Sequence, residues 1–188
     1  MTVDGMTWMN PPAKARTDSA ALHLVTGANG DFWRPTHYGF IHDSGHFLHH
    51  DAPGDFSAEV TVEAGYEAQF NQAGQMLWQD PEHWLKCGIE YADRRMLLSV
   101  VATNGSSDWS VRPGRPGPLH LRLTRQAEAL RVEAMEDGGF ALIRLAWLPP
   151  GPARVGVMAC SPSRAGLAVT FRDYDFGPPA AGALHPED

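Results

Sequence analysis

Cysteine is nearly missing from these 188 residues: only Cys87 and Cys160 occur, too few for a disulfide scaffold and without the paired spacing of a zinc site. Both sit in apolar runs and read as small buried side chains. Long apolar runs are missing as well, since no window approaches the ~18 residues that a membrane helix needs. No basic segment followed by an apolar stretch opens the chain, which makes the cytoplasm the expected location. Positive charge is scarce: 15 Lys plus Arg stand against 22 Asp plus Glu, a net charge of −7. Nucleic acid and anionic membrane are therefore not expected partners. No motif sets an oligomeric state.

Catalytic signatures are also lacking. There is no Gly-X-Ser-X-Gly elbow, and Ser44, Ser99 and Ser161 have no locatable base and orienting acid. Gly27-Ala28-Asn29-Gly30 introduces no helix, so it reads as a turn rather than a phosphate cradle. No cofactor is implied. The nearest approach to the Glu-X-Asp-X-X-Glu run of sandwich glucanases is Glu59 with Glu63, four apart, which a solvated strand face explains.

What is present is a chain apolar enough to fold, at 43% hydrophobic and 20% charged, since a disordered chain could not offset the entropy of ordering. Helical periodicity is hard to find, and short alternating runs recur between Gly, Pro, Asn and Asp. Phe56, Ala58, Val60 and Val62 alternate with Ser57, Glu59, Thr61 and Glu63, so one face is core and the other wet. Leu119 to Thr124 and Leu130 to Met135 read as a hairpin turning at Gln126-Ala127-Glu128. Further strands are predicted at 22–25, 37–42, 46–49, 66–78, 83–91, 96–103, 140–145, 154–160 and 167–176, with Arg112 to Pro118 a proline loop. The expectation is an all-β fold, a jelly-roll sandwich of antiparallel sheets over 1–177, followed by a flexible tail at 178–188.

Several segments carry a resemblance. Trp8-Met9-Asn10-Pro11-Pro12, Asp31 to Phe40 (DFWRPTHYGF), Gly45-His46-Phe47, Gly54 to Val60 (GDFSAEV), Gln72 to Met76 (QAGQM), Trp84 to Tyr91 (WLKCGIEY), Ser107-Asp108-Trp109-Ser110 and Val155 to Pro162 (VGVMACSP) run in order. Together they resemble the bacterial and fungal family known as domain of unknown function 1349, which includes a yeast regulator of enolase. The match runs from Trp8 to about Phe176. It implies a concanavalin A-like lectin/glucanase sandwich whose concave face holds sugar in many relatives, and it supplies no reaction. Gln75 departs from the pattern, which expects an apolar residue there; pointing inward, it needs a polar partner.

The strand around Trp84 to Tyr91 says most about a site. Leu85, Cys87, Ile89 and Tyr91 form its apolar parity, which puts Trp84, Lys86, Gly88 and Glu90 on the other face. With Ala73 and Leu77 buried, the preceding strand adds Gln72, Met76 and Trp78 there. Aromatic faces beside an ammonium, a carboxylate and an amide suit a carbohydrate or a related polar metabolite; a solvated outer face with incidental tryptophans is the plain alternative. Lys86 near Glu90 suggests a salt bridge that would depress the glutamate's pKa. Trp33, His37 and Tyr38 are placed at the cleft mouth. Trp109, in a predicted loop, either caps the cleft or packs beneath the loop. Five of the nine histidines lie at 37–50, but their spacing does not converge three or four ligands, so no metal site is assigned. The site set is Trp33, His37, Tyr38, Gln72, Trp78, Trp84, Lys86, Glu90 and Trp109. A ligand-binding module is the leading reading, with a protein-interaction role and a glycoside hydrolase as alternatives.

Overall fold

Strands build the whole of the structure, a computed structural model that describes residues 3–181. The strands are β1 (Thr7–Met9), β2 (Lys14–Thr17), β3 (Ala21–Val25), β4 (Phe32–Trp33), β5 (His42–Asp43), β6 (His46–Ala52), β7 (Phe56–Ala64) and β8 (Asn71–Asp80). They continue with β9 (His83–Ala92), β10 (Arg95–Asn104), β11 (Ser106–Pro113), β12 (Leu119–Gln126), β13 (Ala129–Glu136), β14 (Gly139–Trp147), β15 (Ala153–Cys160) and β16 (Ala168–Gly177). Two seven-stranded antiparallel sheets, ordered β1-β6-β15-β8-β9-β10-β11 and β14-β13-β12-β7-β16-β3-β2, pack face to face as a concanavalin A-like jelly-roll sandwich.

The main core lies between the sheets. Ala73, Leu77, Leu85 and Cys87 come from the first sheet and meet Val60, Val62, Leu121, Leu123 and Phe171 from the second. The predicted parities at 56–62 and 85–89 are those observed, with Phe56, Ala58, Val60, Val62, Leu85, Cys87 and Ile89 all buried. Both cysteines are free and buried, and burial pushes their thiols up to about 12. Gln75 also points inward. Its amide nitrogen donates across the sandwich to the Ala58 carbonyl at 3.0 Å, a polar partner for that half of the amide, while Oε1 is buried without one.

Several elements differ from expectation. The segment 37–42 is not a strand: Pro35 precedes a tight reversal in which His37 has φ 61, and Thr36 bridges Tyr38. Only its last residue, His42, is in a strand, β5, which pairs with β4. The stretch 66–70 is loop, and β8 begins at Asn71. The strand β11, in part read as loop, pairs with β10 along its length with Trp109 opposite Val101. It escapes the alternation test because an edge strand is wet on most positions, and Pro113 is tolerated at its very end. The strands β1 and β2, also at edges, were not anticipated. Of the expected tail, Ala180 is fastened to the second sheet, its N–H donating to Ser57 Oγ at 2.7 Å and its carbonyl accepting from Arg131; residues 182–188 lie outside the described residues.

Candidate functional site: a strapped cleft on the concave sheet

The outer face of the first sheet carries the even-numbered residues of β8 and β9. Their register sets four rows: Gln72 with Glu90, Gly74 with Gly88, Met76 with Lys86, and Trp78 with Trp84. At the second row a Cβ on Gly74 would stand 1.9 Å from the Cys87 carbonyl oxygen, and one on Gly88 2.1 Å from that of Ala73. Only glycine allows the two strands this approach, and it leaves the floor flat between the polar row and Lys86.

Residues 30–34 cross this face as a strap. Gly30 accepts from the Ser161 N–H at 3.0 Å, just past β15. Lys86 on β9 donates from Nζ to Asp31 Oδ1 and to the Phe32 carbonyl, both at 2.8 Å. The Arg34 N–H donates to Ser107 Oγ on β11 at 2.9 Å. From β15 to β11 is four strand spacings, about 19 Å. The return limb is tied by Arg34 to Asp43 at 2.8 Å and by Asn10, which donates to the Asp43 and Gly45 carbonyls. His46 accepts from the Gly27 N–H and donates from Nδ1 to the Asn10 carbonyl.

Beneath the strap Phe32 is wholly buried, edge-on to Trp78 with ring centroids 5.7 Å apart and 6.3 Å from Trp84. The two tryptophans stack nearly parallel, and with Phe47, Met76, Met158 and Cys160 they form a second core on the concave face. Trp78 and Trp84 are thus corrected: their parity is as predicted, but Phe32 covers them, and neither lines the cleft.

On the other side of the strap the face stays open as a cavity of about 200 Å³. Trp33, Tyr38, Gln72, Lys86, Glu90 and Trp109 of the predicted set line it together. His37 does not; it is exposed and meets Tyr38 edge-on at 4.7 Å, its side chain directed away by the positive φ of the turn. Asp31, Phe40, Phe70, Ala92, Asp93 and Val101 complete the lining and were missed. Asp31 stands inside the quoted Asp31-Phe32-Trp33 motif, but nothing in the chain ties it to a lysine 55 positions away. The histidines of 37–50 disperse: His42 leans on Phe40, His46 at the start of β6 bonds to Gly27 and Asn10, His49 lies beside Phe47, and His50 meets the Tyr174 hydroxyl at 2.8 Å.

The charges also pair differently from expectation. Lys86 takes Asp31 rather than Glu90. Burial alone would pull its pKa down, but Asp31, Cys160 and Glu90 outweigh that and hold it above the usual lysine value. Glu90 Oε2 accepts from Ser99 Oγ at 2.8 Å and from Trp109 Nε1 at 3.1 Å. Burial nevertheless dominates, and its pKa is raised, not depressed: desolvation outweighs the help of Lys86, Ser99 and Trp109, and Asp31 adds to the rise. A carboxyl with a raised folded pKa stabilises the fold at acid pH and gives that contribution up as pH climbs from the unfolded value near 4.5 through the folded one. Glu90→Gln is therefore expected to gain stability relative to the native chain as pH rises. Urea melts between about pH 4 and 8 test this, and parallel curves for the two proteins would refute it.

Three polar sites in the wall are uncommitted. The Gln72 amide, on a residue only 5% exposed, hydrogen-bonds to none of the described residues. The indole N–H of Trp33 is buried without an acceptor. Glu90 Oε1 is likewise uncommitted. The larger hollow of about 590 Å³ between Arg94 and Pro116 is lined by no buried polar side chain.

Comparison with known proteins places the chain in a family. Residues 8–179 match the family described as "Protein of unknown function (DUF1349)". The chain is 43% identical over 183 residues to the Saccharomyces cerevisiae protein "Regulation of enolase protein 1", covering 95% of this chain and 92% of that one. A crystal structure of a functionally unknown protein from Saccharomyces cerevisiae superposes with a TM-score of 0.92 at 40% identity, over 96% of this chain and 100% of that one. A bifunctional GH43-CE protein of Bacteroides eggerthii shares the fold at 12% identity and a TM-score of 0.71, over 95% of this chain but 24% of its own.

Proposed function

The chain belongs to the DUF1349 family, and on that footing we propose that it is a binding module whose strapped cleft takes a carbohydrate or a closely related polyhydroxyl metabolite. The observation that carries this reading is the Gln72 amide, which faces an aromatic-walled cavity and bonds to none of the described residues, beside the buried, unpaired indole N–H of Trp33. A buried N–H left unmet, as on Trp33, costs about 1–3 kcal/mol, and a ligand hydroxyl relieves that cost. Sugars offer apolar C–H faces to rings such as Trp33, Tyr38 and Trp109 and hydroxyls to Gln72, Glu90 and the Trp33 N–H. Binding is favoured over turnover because Asp31, the carboxylate nearest in role to a second catalytic acid, is held by Lys86 and by the Phe32 N–H.

Gln72→Leu separates this role from a structural one. It removes an amide that no described residue pairs, so stability is expected to hold, while sugar affinity by calorimetry falls about tenfold, the worth of one or two hydrogen bonds. Unchanged binding heat in the variant would sink the assignment of Gln72, and a glycan panel that leaves both heat and tryptophan fluorescence of the native chain unmoved would sink the carbohydrate.

A second reading follows the yeast relative's name: a regulator that docks an enolase through the cleft rim, where Tyr38, Phe40 and Ile41 are 48%, 44% and 59% exposed. Capture of purified enolase that Ile41→Ser abolishes and Gln72→Leu leaves intact would select it.

A further inference from the structure

Open concave sheets let a polysaccharide lie across many strands. Here the strap forbids it. From Gly30 at Ser161 to Arg34 at Ser107 the chain bridges β15 to β11, and Phe32 fills the face beyond. The cavity that remains is walled on the strap side, and its 200 Å³ is below the roughly 300–1,000 Å³ of sites for drug-sized ligands. That is room for one ring.

Charge narrows the ring further. Lys86 is the only lysine or arginine in the lining, against three carboxylates, Asp31, Glu90 and Asp93. Its ammonium is committed to Asp31 and to the Phe32 carbonyl. A phosphate entering the cavity meets carboxylates and no free cation, whereas a neutral ring meets the uncommitted amide, carboxylate oxygen and indole N–H described above.

Resting on the carbohydrate reading, we infer that the cleft recognises a single unphosphorylated sugar ring, either free or at the end of a chain, and rejects both internal chain segments and sugar phosphates. Such a protein senses or holds free monosaccharide upstream of any phosphorylating step, or the ends that an exo-acting hydrolase works on.

The test is calorimetry of the full chain with glucose, xylose, mannose and arabinose, with glucose 6-phosphate, and with di-, tetra- and hexasaccharides of β-1,4-linked glucose and xylose, each expressed per chain end. The expected result is affinity for the best sugar that changes less than about twofold with chain length, because added units remain outside the pocket. Its 6-phosphate should bind at least about tenfold more weakly, from like charges brought together. Affinity that climbs with every added unit would overturn the single-ring assignment, and a phosphate that binds as well as its parent sugar would overturn the charge argument, both leaving carbohydrate binding itself standing. Silence from every sugar and oligomer removes the carbohydrate reading, and this inference falls with it.

Discussion

Phe32→Ala is expected to destabilise the protein by about 3–5 kcal/mol, the range for emptying a fully buried aromatic position. The ring is wholly buried and meets Trp78 and Trp84 at once. Collapse into the space is hindered from both sides: the tryptophans are stacked at an interplanar angle of 7° on strands that are themselves paired at that row, and the strap is pinned at Gly30 and Arg34. Denaturant melts measure the loss. A red-shifted emission and a weaker near-ultraviolet dichroism in the folded variant report the tryptophan pair becoming wet. Phe40→Ala, at a ring 44% exposed, is the control and should change stability by less than about 1 kcal/mol. Equal melts for Phe32→Ala and the native chain would mean that the strap does not hold the concave face closed.

Lys86→Met is expected to be as severe, about 3–5 kcal/mol, for an electrostatic reason. Lys86 is 3% exposed and the Asp31 side chain 14%. Losing the ammonium strands a carboxylate and the Phe32 carbonyl together, both of which it satisfies in the native fold. The raised folded pKa fixes the pH behaviour: the pair's contribution is complete below the unfolded lysine value near 10.5 and is lost only above it, as pH climbs through the still higher folded value. The native chain should therefore show no loss from this pair across the neutral range. Adding Asp31→Asn to Lys86→Met removes the stranded charge and should recover part of the stability, and a double-mutant cycle measures how much. Strict additivity of the two single changes would show that the pair is not coupled.

Both results bear on the cleft as well as on stability, because Phe32 and Lys86 fasten the wall against which the ligand rests. A folded Phe32→Ala protein whose affinity begins to grow with oligosaccharide length would link the strap directly to end recognition.

How far the sequence could be read depended on what decided each feature. The parity of Phe56 to Val62 and of Leu85 to Ile89 was legible because one sheet face is buried along the whole strand, so every second residue must be apolar. Edge strands were not: β11 has solvent on most positions, so its composition carries no alternation.

The candidate site divides along the same line. Gln72, Lys86 and Glu90 follow from strand phase alone. Trp78 and Trp84 obey that phase too, yet lie under Phe32, since phase names a face and not what covers it. Glu90 was assigned to Lys86 by closeness along the strand, whereas the ammonium reaches Asp31, 55 residues back, and the glutamate is held by Ser99 and Trp109 from neighbouring strands.

From its own residues, then, the chain determines an all-β sandwich, its buried faces, and a concave face bearing an amide, an ammonium, a carboxylate and aromatic rings, because a two-residue period and the cost of burying polar groups act locally. Only the tertiary structure decides which half of that face is open, which carboxylate neutralises Lys86 and which way the pKa of Glu90 moves. Those depend on a strap laid over the sheet from a distant part of the chain, and desolvation is set by what arrives in space, not by what adjoins in sequence.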